Sequence, residues 1–251
     1  AMRAIGGAAA MDSHISLAIA QTNQAYTLSG VKQQLRLVHS EEINYAETGD
    51  LNLDLGALRT NGDTTLDEVH LMRDAYGADV VSLWVENGGN SCGQSAVMST
   101  VGSYYARSAF NVVARSCAVG NYSFAHELGH NMGLRHDAFV DSDVTPYAFG
   151  HGFVDVANKF RTIMAYDDAC VAANTSCTRI GQFSSATAKY GQFATGNEVH
   201  QPRLLPDRLA QRRVDAVESH EQREDHQRQV VVQQPQLHRA PGVEHGERGI
   251  K

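Results

Sequence analysis

The sequence lacks any long apolar run, since no stretch approaches the roughly 18 consecutive apolar residues of a membrane-spanning helix. It also lacks a basic segment followed by an apolar stretch near residue 1, so no signal peptide is predicted within it. Hydrophobic residues make up 42% and charged residues 20%, which indicates neither a fibre nor wholesale disorder. A chain of 251 residues can bury a core, and we expect one main domain without a membrane partner.

An excess of basic residues is also missing. The net charge is −7, whereas nucleic-acid-binding proteins usually carry a basic patch, so nucleic acid is excluded as an expected partner. The whole imbalance lies in residues 1–196, because residues 197–251 contain nine acidic and nine basic side chains.

Residues 197–251 lack aromatic residues and cysteine altogether. They hold four of the five prolines, eight glutamines and five histidines, so little apolar area is available to offset the entropy of ordering. We therefore predict a folded domain over residues 1–196 and a low-complexity, disordered or aberrant tail over residues 197–251.

Cysteine is scarce, and no Cys-x-x-Cys pair occurs. The four cysteines are Cys92, Cys117, Cys170 and Cys177. Two local disulfides in an oxidising compartment are the simplest interpretation, although four cysteines allow three pairings and a structural zinc site is the alternative. We accordingly expect a secreted, extracellular protein whose export signal was encoded upstream of residue 1.

Periodicity alternates between helices and strands along the first half of the chain. Apolar residues at helical spacing predict helices over 11–28 and 65–76, each followed by a glycine. Alternation predicts a half-buried strand over 31–39, and a nearly continuous apolar run predicts a central strand over 79–85. Residues 93–101 could form an edge strand with a loop. Helix and strand layers of this kind indicate an α/β or α+β fold.

The segment 126–137 reads His-Glu-Leu-Gly-His-Asn-Met-Gly-Leu-Arg-His-Asp. On a helix, residues four apart lie on one face, so His126 and His130 can direct imidazole nitrogens at one ion. Glu127 is rotated about 100° from His126, which lets it reach a water on the metal as a general base.

Gly133 can adopt the positive φ that ends a helix, and the chain then turns so that His136 becomes a third ligand. Three neutral imidazoles leave the fourth position of a tetrahedral zinc open, which is the arrangement of catalytic zinc sites. The alternative is an ordinary buried helix that happens to contain histidines, but it gives no reason for Gly133.

This pattern resembles the metzincin clan of zinc endopeptidases, and Asp137 directly after the third histidine is similar to the reprolysin or adamalysin branch. The clan has a methionine-containing turn beneath the zinc, which Met164 within 162–166 matches. The resemblance implies an α+β domain with a twisted mixed sheet, an active-site helix, a Met-turn and one Zn²⁺ ion.

The sequence is more specifically similar to bacterial reprolysin-like enzymes of the peptidyl-Asp metallopeptidase type. The matching segments are 76–81, 117–125 and 182–185, and the likeness runs from Met11 to Gly196. In that family a core strand precedes the first helix, and we expect this chain to lack it.

The resemblance implies a monomeric enzyme that hydrolyses protein or peptide substrates, with Glu127 moving the proton. It places Asp137 in a supporting role and leaves Tyr166 with two alternatives, contact with the reacting groups or simple packing. Two other functions stay open from the residues: a zinc amidase acting on a small substrate, and a truncated, catalytically weak protein that binds zinc or a partner.

Three weaker signals surround the motif. Asp137, Asp141 and Asp143 form an acidic cluster that could bind Ca²⁺, although no EF-hand pattern is present and a solvated loop is favoured. An edge strand near Gly93 could receive an extended substrate. Arginines could favour an acidic substrate residue; the candidates are Arg135, Arg161 and Arg179.

Overall fold

The computed structural model describes residues 1–197 and 226–233 of the chain. The helices are α1 (Met2–Ile5), α2 (Ala8–Leu28), α3 (Leu51–Arg59), α4 (Asp67–Tyr76), α5 (Arg115–Ala118), α6 (Ser123–Asn131) and α7 (Asp168–Ala172), with a 3-10 helix at Ser103–Ser108. The strands are β1 (Gln34–Glu42), β2 (Val80–Val85), β3 (Gly93–Ser95), β4 (Phe110–Ala114), β5 (Val154–Asp155), β6 (Phe160–Arg161), β7 (Thr178–Arg179), β8 (Lys189–Tyr190), β9 (Phe193–Ala194) and β10 (His226–Gln233). The predicted α+β class is confirmed.

A five-stranded mixed sheet has the order β1-β10-β2-β4-β3. All neighbours in it are parallel except β3, which runs antiparallel to β4 and pairs Gly93 with Val113. β10 lies within residues 197–251, the segment predicted to be a low-complexity, disordered or aberrant tail. Residues 198–225 and 234–251 of that segment lie outside the described residues. The sheet therefore ends at β3 on one side and at β1 on the other.

Both faces of β2 are buried, which explains its nearly continuous apolar sequence. Val81 and Leu83 pack with α3 and α4, whereas Val80 and Trp84 pack with α2 and α6. The period-two alternation of a strand thus divides the core into two layers. The second layer supports α6, the helix that carries the histidine motif.

The strand predicted over 31–39 lies three residues further along, at 34–42. The exit from α2 uses the intervening residues, because the Val31 N–H donates to Tyr26 O at 2.9 Å. Asn23 then binds both backbone groups of Leu35, donating to its carbonyl at 2.8 Å and accepting from its N–H at 2.6 Å. A side chain on the helix thereby fixes where the strand begins.

The four cysteines form two disulfides, Cys92–Cys117 and Cys170–Cys177. The first joins the residue before β3 to α5, close to the start of α6. The second closes the turn after α7. Among the described residues, no helix combines the length and apolar character needed to cross a bilayer.

Candidate metal centre

The three motif histidines converge on one point. Nε2 of His136 lies 3.2 Å from Nε2 of His126 and 3.0 Å from Nε2 of His130. His126 and His130 are buried on α6, and His136 follows after the chain has turned back. The spacing of four residues on the helix and the turn after it therefore bring together the predicted ligand atoms.

Hydrogen bonds orient two of these rings. Nδ1 of His126 lies 2.9 Å from Ile163 O, and Nδ1 of His130 lies 2.9 Å from Leu134 O. Because a carbonyl oxygen only accepts, each Nδ1 carries the proton and each Nε2 presents a lone pair. Both lone pairs face Nε2 of His136, which has at most one proton to share. A cation at the centre would satisfy all three nitrogens.

The electrostatic setting keeps the imidazoles neutral. Burial lowers the pKa of His126 well below its usual value and lowers that of His130 to about 4, and the neighbouring imidazoles add to both effects. Burial likewise lowers the pKa of His136 to about 4. Neutral nitrogen donors in this number fit a zinc ion, for which imidazole is a common ligand.

Gly133 adopts φ 87°, a backbone conformation that residues with a Cβ atom rarely adopt. The N–H of the next residue, Leu134, donates to Gly129 O at 2.8 Å, so α6 ends there. A Cβ atom at residue 133 would also lie 2.7 Å from Cγ of Pro146. Both the turn and the close approach require glycine at this position.

Glu127 is buried between α6 and β3. Oγ of Ser95 donates to its Oε2 at 2.5 Å and lies 2.9 Å from its backbone carbonyl. Burial raises the pKa of Glu127 to about 7, and the hydrogen bond from Ser95 opposes that rise. Ser95 was not among the predicted site residues. The alternation of a strand places it on the same side as Gly93, and that pattern was the available signal.

Met164 lies beneath α6. It is 1% exposed, and a Cβ at Gly129 would overlap its sulfur atom. The loop after His136 reaches the same turn, because the Tyr166 N–H donates to Oδ2 of Asp137 at 2.9 Å. The Tyr166 ring stacks on His136 with ring centroids 4.1 Å apart. The turn at Met164, the third histidine and Asp137 are thus one packed unit.

Asp141 and Asp143 are held by a cation of the protein itself. Arg135 binds Asp141 at 3.0 Å and Asp143 at 2.6 Å, whereas Asp137 faces Tyr166. The three carboxylates form no metal-type group within the described ranges. A second grouping of possible ligands consists of Asp167, Cys170 and Cys177, but its two cysteines already form a disulfide.

Comparison with known proteins identifies related sequences. The model of the metallo-peptidase family M12B, Reprolysin-like, matches residues 2–191. A protein of Xanthomonas campestris pv. campestris is 40% identical over 197 residues, covering 78% of this chain and 44% of its own length. A protein of Stenotrophomonas maltophilia strain K279a is 38% identical over 200 residues, which cover 78% of this chain and 45% of the relative.

A protein of Pseudomonas fragi is 31% identical over 171 residues, which cover 68% of this chain and 85% of the relative. All three relatives are named peptidyl-Asp metalloendopeptidase. The chain spans less than half the length of the first two.

Proposed function

The chain belongs to the metallo-peptidase family M12B, Reprolysin-like, and from this premise we propose that it is a zinc-dependent endopeptidase. The convergence of three imidazole Nε2 atoms, two of them fixed by Nδ1 hydrogen bonds to carbonyls, carries the proposal. In it, His126, His130 and His136 hold one zinc ion. A calcium site is left out, because Arg135 already neutralises Asp141 and Asp143.

When bound, zinc would supply a Lewis acid that lowers the pKa of a water and polarises the peptide carbonyl. Glu127 is the general base in this proposal. Its Oε2 is engaged by Ser95, which leaves Oε1 to accept the proton of the attacking water and to pass it to the amine nitrogen of the leaving segment. A carboxyl group with a pKa near 7 is suited to both transfers.

The remaining residues of the site position these groups. Gly133 lets His136 return to the centre, and Asp137 ties that return to the turn at Met164. Tyr166 stacks its ring on His136 although the residue stays exposed, which supports packing as its role and leaves contact with the reacting groups as the alternative.

The substrate we propose is a protein or peptide bound in extended form. β3 is the last strand of the sheet and lies against Glu127, so its free edge can accept a substrate strand beside the general base. The names of the relatives extend the proposal to bonds at aspartate. A free strand edge favours an endopeptidase over an amidase for small substrates, which needs no strand pairing.

The proposal also includes secretion and a boundary near residue 196. Two disulfides suit an oxidising compartment. The family match ends at residue 191, which supports residues 1–196 as the catalytic unit. A monomeric state is part of the proposal. The placement of β10 between β1 and β2 counts against a boundary near residue 196, because a chain ending there would lack that strand.

The test combines metal analysis with a peptide library. Residues 1–251 and a version ending at residue 196 are purified, their zinc content is measured, and cleavage sites are mapped with and without a chelator. We expect one zinc per chain and chelator-sensitive cleavage of internal bonds. Bound zinc with no cleavage would favour the non-enzymatic alternative, and hydrolysis of small amides alone would favour the amidase.

A further inference from the structure

Two arginine side chains meet at a single carbonyl oxygen beside the metal centre. Nη1 of Arg161 donates to Ala165 O at 2.7 Å, and Nη2 of Arg179 donates to the same oxygen at 3.2 Å. Ala165 directly follows Met164, so this oxygen belongs to the turn beneath the histidines. Two like charges are thereby held close to one another.

The two arginines differ in how their charges are balanced. Arg161 has a carboxylate nearby, with its Nε 3.7 Å from Oδ1 of Asp167. Among the described residues, the hydrogen bonds of the Arg179 guanidinium go only to neutral carbonyls, those of Ala165 and Asn121. Within residues 1–197 and 226–233, no carboxylate forms an ion pair with Arg179, and its buried Nε has no acceptor.

This arrangement is costly for the free protein. Burial lowers the pKa of Arg179 to about 10, and repulsion from Arg161 adds to the effect. Attraction from Tyr166, Glu127 and Asp167 opposes it without cancelling it. A buried cation is normally paired with an anion, because desolvation otherwise disfavours it. Of the five N–H donors of the guanidinium, two bind carbonyls and the Nε–H is buried, so one N–H on each terminal nitrogen remains for another acceptor.

Arg179 lies close to the reaction centre. Its two carbonyl partners flank the start of α6 and the turn before Tyr166. Its charge reaches the site: it contributes, after burial, to the lowered pKa values of His126 and His136, and it opposes the raised pKa of Glu127. A positive charge this near a divalent cation would be unfavourable unless the substrate brings a negative one.

We propose that Arg179 is a specificity-determining residue, which binds the carboxylate of an acidic substrate side chain next to the scissile bond. This inference rests on the proposed endopeptidase function. Substrate binding then supplies the anion that the guanidinium lacks, and a planar guanidinium can bind a carboxylate through two parallel hydrogen bonds. Arg161, already near Asp167, holds the common carbonyl and has no direct part in selection.

The test uses pairs of peptides that differ only by Asp or Asn at one position adjacent to the scissile bond, on either side of it. The ratio of kcat/KM for the two peptides is measured for the wild type, Arg179→Gln, Arg179→Lys and Arg161→Gln. The exposed Arg36, on the opposite edge strand, gives the matched control Arg36→Gln. Cleavage sites are verified by mass spectrometry, and folding by circular dichroism.

We expect the wild type, Arg161→Gln and Arg36→Gln to prefer the Asp peptide by about 10- to 100-fold, the range of a charge-assisted hydrogen bond. In Arg179→Gln the ratio falls to about one. Arg179→Lys keeps a smaller preference, since a point charge remains without the planar fork. Should the Gln variant fail to fold, the Lys variant decides the matter, and a folded Lys variant that keeps the full preference overturns the proposal.

Other outcomes separate this inference from the proposed function. A wild type that cleaves both peptides equally, or an Arg179→Gln variant that keeps the full preference, refutes the role of Arg179 and leaves the endopeptidase intact. Loss of preference in Arg161→Gln instead would assign selection to that residue and overturn the proposal. A wild type that cleaves no peptide would refute both.

Discussion

Gly93 faces Glu127 so closely that a Cβ atom at residue 93 would overlap the carboxylate oxygen Oε1. Two residues further along the same strand, Ser95 binds the other oxygen, Oε2. The edge strand β3 therefore fixes the orientation of the Glu127 carboxylate, the general base that we propose, from both sides. The same strand presents the free sheet edge at which we place the substrate, so base and substrate share one support.

Replacing Gly93 by alanine is expected to lower activity without removing zinc. The methyl group would displace the Glu127 carboxylate, and a displacement of about 1 Å in a reacting group costs on the order of 100-fold in rate. The measurement is kcat on a peptide substrate together with zinc content.

Gly56→Ala is the matched control for that variant. Gly56 lies in α3, has no atom within 4 Å of a built Cβ and does not have positive φ. We expect unchanged kcat and a gain in stability of up to about 1 kcal/mol from helix propensity. Equal activity of both variants would contradict the close approach of Gly93 and Glu127.

Replacing Glu127 by glutamine should leave zinc bound and lower kcat by about 100- to 10,000-fold, because the amide cannot accept the proton. The ligand histidines are untouched by this change, so metal content separates loss of the base from loss of the site. Glu68→Gln, at an exposed position of α4, controls for the loss of a negative charge. Full activity in Glu127→Gln would disprove the role of that residue.

Removal of the metal should destabilise the protein. At zinc concentrations about 1,000-fold above Kd, binding contributes about 4 kcal/mol, so a chelator should lower Tm by on the order of 10 °C. His136→Ala removes one ligand and should make Tm insensitive to the chelator. His39→Ala, which changes a histidine on β1 outside the centre, should keep the response. An identical Tm with and without chelator in the wild type would contradict the expectation that a bound metal stabilises the protein.

The disulfide Cys92–Cys117 should contribute more stability than Cys170–Cys177. Their sequence separations are 25 and 7, for which the chain-entropy relation gives about 3.5 and about 2 kcal/mol. Replacing both cysteines of a pair by serine and measuring urea unfolding tests the difference. Because Cys92 precedes Gly93, the first double variant should also lose activity, whereas the second should lose mainly stability. The reverse order of stabilities would contradict the loop-length argument.

The histidine cluster could be anticipated from the sequence because its geometry is local. Residues four apart on a helix share a face, and a glycine that ends the helix allows the chain to return within a few residues. His126, His130 and His136 are brought together by such short-range rules. The α+β class followed likewise from periodicity in α2, α4 and β2.

Other parts of the site depend on contacts between segments distant in sequence. Ser95 meets Glu127, and Arg179 meets Asn121, only after separate elements have packed. Strand alternation places Ser95 on the same side of β3 as Gly93, but no pattern in the chain relates Ser95 or Arg179 to its distant partner. The strand β4, Phe110–Ala114, is a short segment with four apolar residues and Asn111, which periodicity alone does not distinguish from a loop or a buried helical turn.

Helix α3 was within reach of sequence analysis. Leu51, Leu55 and Leu58 have helical spacing and are buried, and Asp50 caps the helix by accepting from the Asn52 N–H at 2.8 Å. Gly56 in its middle weakens the helical propensity, which explains why the pattern is easy to overlook.

The position of β10 between β1 and β2 has a consequence for how the chain folds. Gln34 pairs with His226, and Val80 pairs with Gln229. The two strands that neighbour β10 are therefore synthesised long before β10 itself. Contacts so distant in sequence slow folding, because a long loop must close before they form. Throughout synthesis β1 and β2 would present open edges that can pair with strands of other chains until β10 inserts between them.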